Sequence, residues 1–175
     1  MEDKMPMNYD CCMIIRDELP SDTDAIRSVV TSAFTHAPHS NGTEAAIVEA
    51  LRAGSALTIS LIAEKQGEVV GHVAFSPVSV GGNFLGWFGL GPVAVVSDEQ
   101  HSGIGRALIE AGLERLRVMG AQGCVVLGEP NYYSRFGFER DPNLRFPAAP
   151  TEYFQRLCFY DQVPSGVVEY HPAFY

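Results

Sequence analysis

Between Trp87 and Leu127 the chain carries an apolar run, a helical stretch and a second apolar run, joined by short polar segments. A helix between two neighbouring strands of one sheet imposes a parallel crossover, which restricts the fold to helices packed on a sheet with some parallel pairing. The helix is predicted over about 103–119. Ile104, Ala107, Leu108 and Ala111 mark one face, Ile109, Leu113 and Leu116 widen it, and Gly120 ends it. Gln122 to Leu127 reads as a buried strand.

Upstream, Leu57–Ala63, Val69–Val80 and Trp87–Val96 are apolar and β-rich. Turn material separates them, Lys65-Gln66-Gly67-Glu68 and then Gly81-Gly82-Asn83, so they are predicted to form an antiparallel meander. Met13–Arg16 reads as a first strand. Ser21-Asp22-Thr23-Asp24 opens a helix with a capping side chain, and Ala25, Ile26, Val29, Val30, Ala33 and Phe34 recur at helical spacing. Thr43 can cap a second helix with Ala46, Ile47, Ala50 and Leu51 on one face. Near the end, Asn131–Phe136 fits a short helix, Phe138 starts a strand, residues 141–150 form a Pro-rich loop and Val163–Tyr170 forms the last strand. The expected fold is α/β (α+β): one domain over 13–175, with a central mixed, mostly antiparallel sheet of six to seven strands flanked by about four helices. Residues 1–12 are expected to be a flexible N-terminal tail.

Composition narrows the function. With 46% apolar residues in 175, the chain has material for a sizeable core. A net charge of −9 argues against nucleic-acid binding, which needs clustered Lys and Arg, and is compatible with cationic amines as substrates. No apolar run approaches the ~20 residues of a membrane span, so no membrane partner is expected. The four cysteines, Cys11, Cys12, Cys124 and Cys158, form no C-x-x-C pair, which implies neither a disulfide framework nor a metal site. His36 and His39 lie in a loop without metal-ligand spacing. The default compartment is a reducing cytoplasm.

The chemistry concentrates where the strand at Leu90–Val96 runs through a polar turn and two glycines into the long helix. A helix N-terminus presents unpaired N–H groups and a positive dipole end, and glycines let a bulky anion approach the backbone. Arg106 adds a charge in the first turn. The dinucleotide fingerprint fails because Leu108 stands at its last glycine, and the Gly-Lys-Ser/Thr of an ATP loop is absent.

Gln100-His101-Ser102-Gly103-Ile104-Gly105 resembles the acetyl-CoA signature [Gln/Arg]-x-x-Gly-x-[Gly/Ala] of the GNAT N-acetyltransferase superfamily. Tyr133-Ser134-Arg135-Phe136-Gly137-Phe138 is similar to that family's Tyr-x-x-[aromatic or Leu]-Gly-Phe. Gly71-His72-Val73-Ala74-Phe75-Ser76-Pro77, Leu127-Gly128-Glu129-Pro130 and Tyr170-His171-Pro172-Ala173-Phe174 look like its YhbS-like branch, and the likeness extends over most of 13–175.

The resemblance implies acetyl-CoA as cosubstrate, no metal, and transfer of an acetyl or short acyl group directly to a primary amine, on a small molecule or peptide, in a ternary complex. It implies that the amides around Gln100, His101, Ser102, Gly103, Ile104, Gly105 and Arg106 hold the pyrophosphate. Val93, Ala94 and Val95 would pair with the pantetheine arm, Asn131 would lie near the cofactor, and Tyr133 would both touch it and protonate the leaving thiolate. Glu44, at the start of the second helix, would orient the amine or act as base. His72 and His171 are further base candidates, and the strand Trp87–Val96 offers no acid. Loops near 36–44, 81–86 and 145–165 would build the acceptor pocket, and a homodimer is expected by the same resemblance. The competing reading is a non-catalytic acyl-CoA binding or sensing module.

Overall fold

The computed structural model describes residues 12–38 and 40–175. Apart from Cys12, the expected tail over 1–12 lies outside the described residues, as does His39. Eight strands build one open sheet: β1 (Met13–Asp17), β2 (Ile59–Lys65), β3 (Glu68–Val80), β4 (Asn83–Val95), β5 (Gly123–Leu127), β6 (Leu144–Arg145), β7 (Phe154–Cys158) and β8 (Gly166–Glu169). The helices are α1 (Thr23–Phe34), α2 (Glu44–Ala53), α3 (Ile104–Val118) and α4 (Pro130–Tyr133). The main path runs β1-β2-β3-β4-β5-β7. Its pairings are antiparallel except β4 with β5, the crossover that α3 imposes. The short β8 continues the edge of β3 at Ser79 and Val80, beyond the end of β2, and also pairs with β6.

Alternation along the strands sorts the core into layers. Leu61, Val73 and Phe75 pack with Leu108, Leu113 and Leu116 of α3. On the opposite face, Ile62 and Ala94 pack with Ile26, Val29 and Val30 of α1 and Val48 of α2. Trp87, Val125, Phe154 and Val168 close a third cluster under β8.

Several expectations are corrected. Phe138 does not start a strand: Glu139 makes one isolated bridge to Arg156, and Phe138 is a buried core residue. The segment read as loop carries β6, and β7 forms without a clear sequence signal. The inner face of α2 is Val48 and Leu51, while Ala46 and Ala50 are exposed. Neither expected cap forms. The Asp22 carboxylate accepts from Arg16 and from the Leu19 N–H, and the Thr43 hydroxyl donates to Asn41.

One departure from regular pairing positions the functional site. Val73 pairs with Val93, but Phe75 pairs with Leu90, so β4 bulges at Gly91-Pro92. On its other edge β4 pairs with β5 only from Trp87 to Leu90. Beyond that point β5 leads away into α4, and β4 is unpaired along Val93–Val95 on that side. The two parallel strands therefore splay apart at their C-terminal ends.

Candidate functional site

Two clefts open at the splay. The first, about 650 Å³, runs along Val93 and Val95 to the start of α3 and is lined by Gln100, His101, Gly103, Gly105 and Arg106. The second, about 550 Å³, lies across the strand ends and is lined by Glu44, Leu90, Pro92, Phe146, Tyr170 and Phe174 among others. Phe34, Val93 and Tyr133 line both, so the clefts meet at these three residues.

The backbone of β4 is aimed into the first cleft. The Val95 carbonyl accepts from Gln100 Nε2 at 3.0 Å, and the Val96 N–H donates to Val70 of β3 at 3.0 Å. Residues 94 and 96 thus turn their polar groups toward β3, and 93 and 95 turn theirs away, into the splay. A strand edge in this state accepts an extended ligand by main-chain pairing. The Val95 carbonyl keeps a second lone pair beside the Gln100 amide.

The cleft's far end suits an anion. His101 and Gly103 both hold left-handed conformations, φ 64° and 91°, which turn the chain sharply into α3. Glycine takes such a φ without steric cost. The Ala107 N–H makes the first intrahelical bond, to Gly103, so the amides of residues 103–106 have no helical carbonyl. Arg106 and Arg135 flank them. Arg135 lies 4.5 Å from the centre of the Tyr132 ring and donates to the Tyr132 carbonyl. Glu99, the acid in this wall, pairs with Lys65 at 2.6 Å. Arg106 also pairs with Glu110 at 2.8 Å, so in a chain of net charge −9 the cleft gathers two arginines, of which Arg106 shares its charge with a carboxylate at the rim.

Of the residues expected at a cofactor, Val93, Val95, Gln100, His101, Gly103, Gly105, Arg106 and Tyr133 line the first cleft. The Ala94 and Ile104 side chains are buried in the core, the Ser102 hydroxyl bonds back to the Glu99 carbonyl, and exposed Asn131 is not among the lining residues. Ala33, Phe34, Glu99, Tyr132 and Arg135 were not expected there. Arg135 carried a signal, since it lies inside the Tyr133–Phe138 motif.

Tyr133 sits at the junction with its ring among Tyr132, Phe136 and Phe138. Burial pushes its phenol well above the ordinary tyrosine value. Its seat is cut from Gly128, where a Cβ would come within 2.3 Å of the ring. Tyr170 lies in the same way on Gly89, where a Cβ would come within 2.5 Å.

Glu44 lines the second cleft. Its Oε1 accepts from Ser40 Oγ at 2.8 Å, while Oε2 is buried with no partner. The other base candidates do not reach either cleft. His72 is fully buried, 2.8 Å from Ser60 Oγ, and burial lowers its pKa to about 4. His171 accepts from the Ala173 N–H through Nδ1. Of the loops expected to form the pocket, 81–86 is elsewhere: Gly86 packs on Gln122 at the opposite end of the sheet. Phe146, Ala148 and Ala149, from the other expected region, do line it. Among the described residues no group of three or more His, Cys, Asp or Glu could hold a metal ion, and no helix is long and apolar enough to cross a membrane.

Comparison with known proteins gives a consistent result. The model of the GNAT acetyltransferase domain matches residues 57–140. The N-acetyltransferase YhbS of Escherichia coli K12 is 38% identical over 170 residues, 93% of this chain and 98% of that protein. A GNAT family acetyltransferase from Brucella melitensis, solved with acetyl-CoA, is 50% identical with a TM-score of 0.84, covering 93% of this chain and 98% of that one. The crystal structure of Escherichia coli YhbS with CoA has a TM-score of 0.86 at 37% identity, covering 94% and 92%.

Proposed function

The chain belongs to the GNAT family of N-acetyltransferases, and on that premise we propose that it transfers the acetyl group of acetyl-CoA directly to a primary amine while both are bound. The observation that carries this reading is the meeting of the two clefts at Phe34, Val93 and Tyr133. Donor and acceptor held on either side of that junction would react without diffusing apart.

The first cleft fits the cosubstrate. Val93 and Val95 offer outward main-chain groups for an extended amide arm, and the amides of residues 103–106 with Arg106 and Arg135 suit a pyrophosphate. Acetyl-CoA supplies an acyl carbon activated as a thioester. The outward Val93 N–H is the donor for negative charge developing on the acyl oxygen. Glu44 holds the amine and takes its proton. The C–N bond forms as the C–S bond breaks, and Tyr133 gives its proton to sulfur and regains one from solvent. An ammonium loses one proton to solvent before attack and a second to Glu44 as the C–N bond forms, and one reaches sulfur, so the reaction balances with one net proton released to solvent. Among the described residues the walls of the two clefts contain no cysteine, serine or lysine, which favours direct transfer over a covalent relay.

Calorimetric titration tests the premise. Acetyl-CoA is expected to bind at micromolar concentration and NADH not at all. Gly103→Glu should abolish binding, because it adds a charge and a side chain at a left-handed position facing the anion. Absence of acetyl-CoA binding at millimolar concentration would overturn the reading.

A further inference from the structure

The second cleft has an unusual balance of chemistry. Among the described residues its walls carry one carboxylate side chain, Glu44, and no Lys, Arg or His. Most of the remainder is aliphatic or aromatic. Phe146, Tyr170 and Phe174 form a continuous floor, with ring centres 5.2 Å and 5.1 Å apart. Gly89 is the vacancy into which Tyr170 fits, so this floor is built into the sheet. The volume, about 550 Å³, is that of a small-molecule pocket.

Two polar atoms in these walls, Glu44 Oε2 and Tyr170 Oη, are buried without partners among the described residues. The helix dipole explains a carboxylate in the first turn of α2. It does not explain a carboxylate at the cleft wall with one oxygen left without a partner among the described residues, which a small rotation of the side chain would present to a ligand. Such an atom is costly unless something completes its coordination, and a single ammonium group would do so. A second ammonium on the same molecule would find no second carboxylate side chain among the described wall residues, only ring faces, which attract a cation more weakly than a carboxylate does.

We propose that the acceptor is a small monoamine whose ammonium is taken by Glu44 and whose body is an uncharged apolar ring, stacked over Phe146, Tyr170 and Phe174. This rests on the acetyl-transfer reading. Polyamines, aminoglycoside-like polycations and lysine side chains in peptides are disfavoured by the same walls. The free Tyr170 hydroxyl would accommodate one polar substituent on the ring.

The test is a rate assay of CoA thiol release with acetyl-CoA and a panel of amines, run alongside acetyl-CoA titration. The panel holds 2-phenylethylamine, cyclohexylmethylamine, spermidine, kanamycin and a lysine-bearing peptide. The two ring monoamines are expected to exceed the others in kcat/KM by about tenfold or more. Glu44→Gln, which keeps a partner for Ser40, is expected to raise the 2-phenylethylamine KM by about tenfold or more, to lower kcat without abolishing turnover because glutamine cannot take the amine's proton, and to leave acetyl-CoA affinity unchanged. The neutral isostere 2-phenylethanol should inhibit wild type and variant equally, because it uses only the apolar floor. Preference for spermidine, kanamycin or the peptide would overturn the proposal, as would an unchanged amine KM in Glu44→Gln. Acetyl-CoA binding with no amine acetylated would overturn it while leaving the donor site intact. Failure to bind acetyl-CoA would remove the acetyl-transfer reading itself.

Discussion

Tyr133 owes its position to an absent atom. Gly128 leaves room for its ring, and the aromatic neighbours hold it at the junction of the clefts. Burial keeps the phenol protonated. A thiolate placed in the same apolar surroundings would also have its pKa raised, which favours its taking a proton. If Tyr133 is the acid, Tyr133→Phe should lower kcat by more than about tenfold at unchanged acetyl-CoA affinity. Gly128→Ala should give a similar loss with the hydroxyl still present, because the ring must shift. Steady-state kinetics paired with titration measures both, and full turnover in Tyr133→Phe would remove the acid role. At this scale the sequence was informative where a motif set a residue's neighbours locally. Tyr133 and the turn at 100–106 were legible for that reason. Phe146 lies in a loop expected at the pocket and Tyr170 in a quoted motif, but their meeting at the second cleft joins residues far apart in the chain, and no local pattern gives that contact.

At the scale of elements, α3 shows two forces in opposition. Gly112 sits mid-helix, where alanine would normally stabilise by about 1 kcal/mol. A Cβ there would come within 2.1 Å of the Phe75 ring, which is fully buried. Overpacking of this kind costs about 1–3 kcal/mol, so packing should prevail. Gly112→Ala is expected to lower Tm by several degrees in thermal denaturation, and a raised Tm would mean that Phe75 has room to move. The strong elements were readable because period and composition agreed: α3 by its apolar face, β2 to β4 by β-rich runs between glycine turns. Strand β7 was not. Its sequence Phe154-Gln155-Arg156-Leu157-Cys158 places a buried glutamine among apolar residues, and only the structure reveals why: Gln155 Nε2 donates to the Gly128 carbonyl at 2.9 Å. The inner face of α2 was misjudged for a related reason. Ile47 has the hydrophobicity of a core residue but lines the second cleft, while Val48 and Leu51 face inward.

For the whole molecule, a buried polar chain beneath α1 and α2 links folding to acidity. Arg52 bonds Glu18, Ser60 donates to Glu18, and His72 Nε2 lies against Ser60 Oγ with Nδ1 unpartnered. Burial holds His72 neutral, with a pKa of about 4 against an ordinary 6.5. Between those values the unfolded chain binds a proton that the native chain does not, so stability rises with pH across the window and is lost as pH falls from about 6.5 to 4. The full loss is roughly 3 kcal/mol. Urea denaturation at pH 7.5, 6 and 5 should show a progressive fall, and His72→Gln should flatten it. A flat wild-type profile would mean that His72 is charged or hydrated in the native state.

The splay of β4 from β5 has a consequence for how such a protein diversifies. On the proposed reading, one strand would meet the acyl donor with its main chain and the acceptor with the side chains of Leu90, Pro92 and Val93. Main-chain groups persist through most substitutions, whereas pocket walls change with each one. Under that reading, descendants of this chain would exchange one acceptor for another by point mutation while inheriting the donor site unaltered.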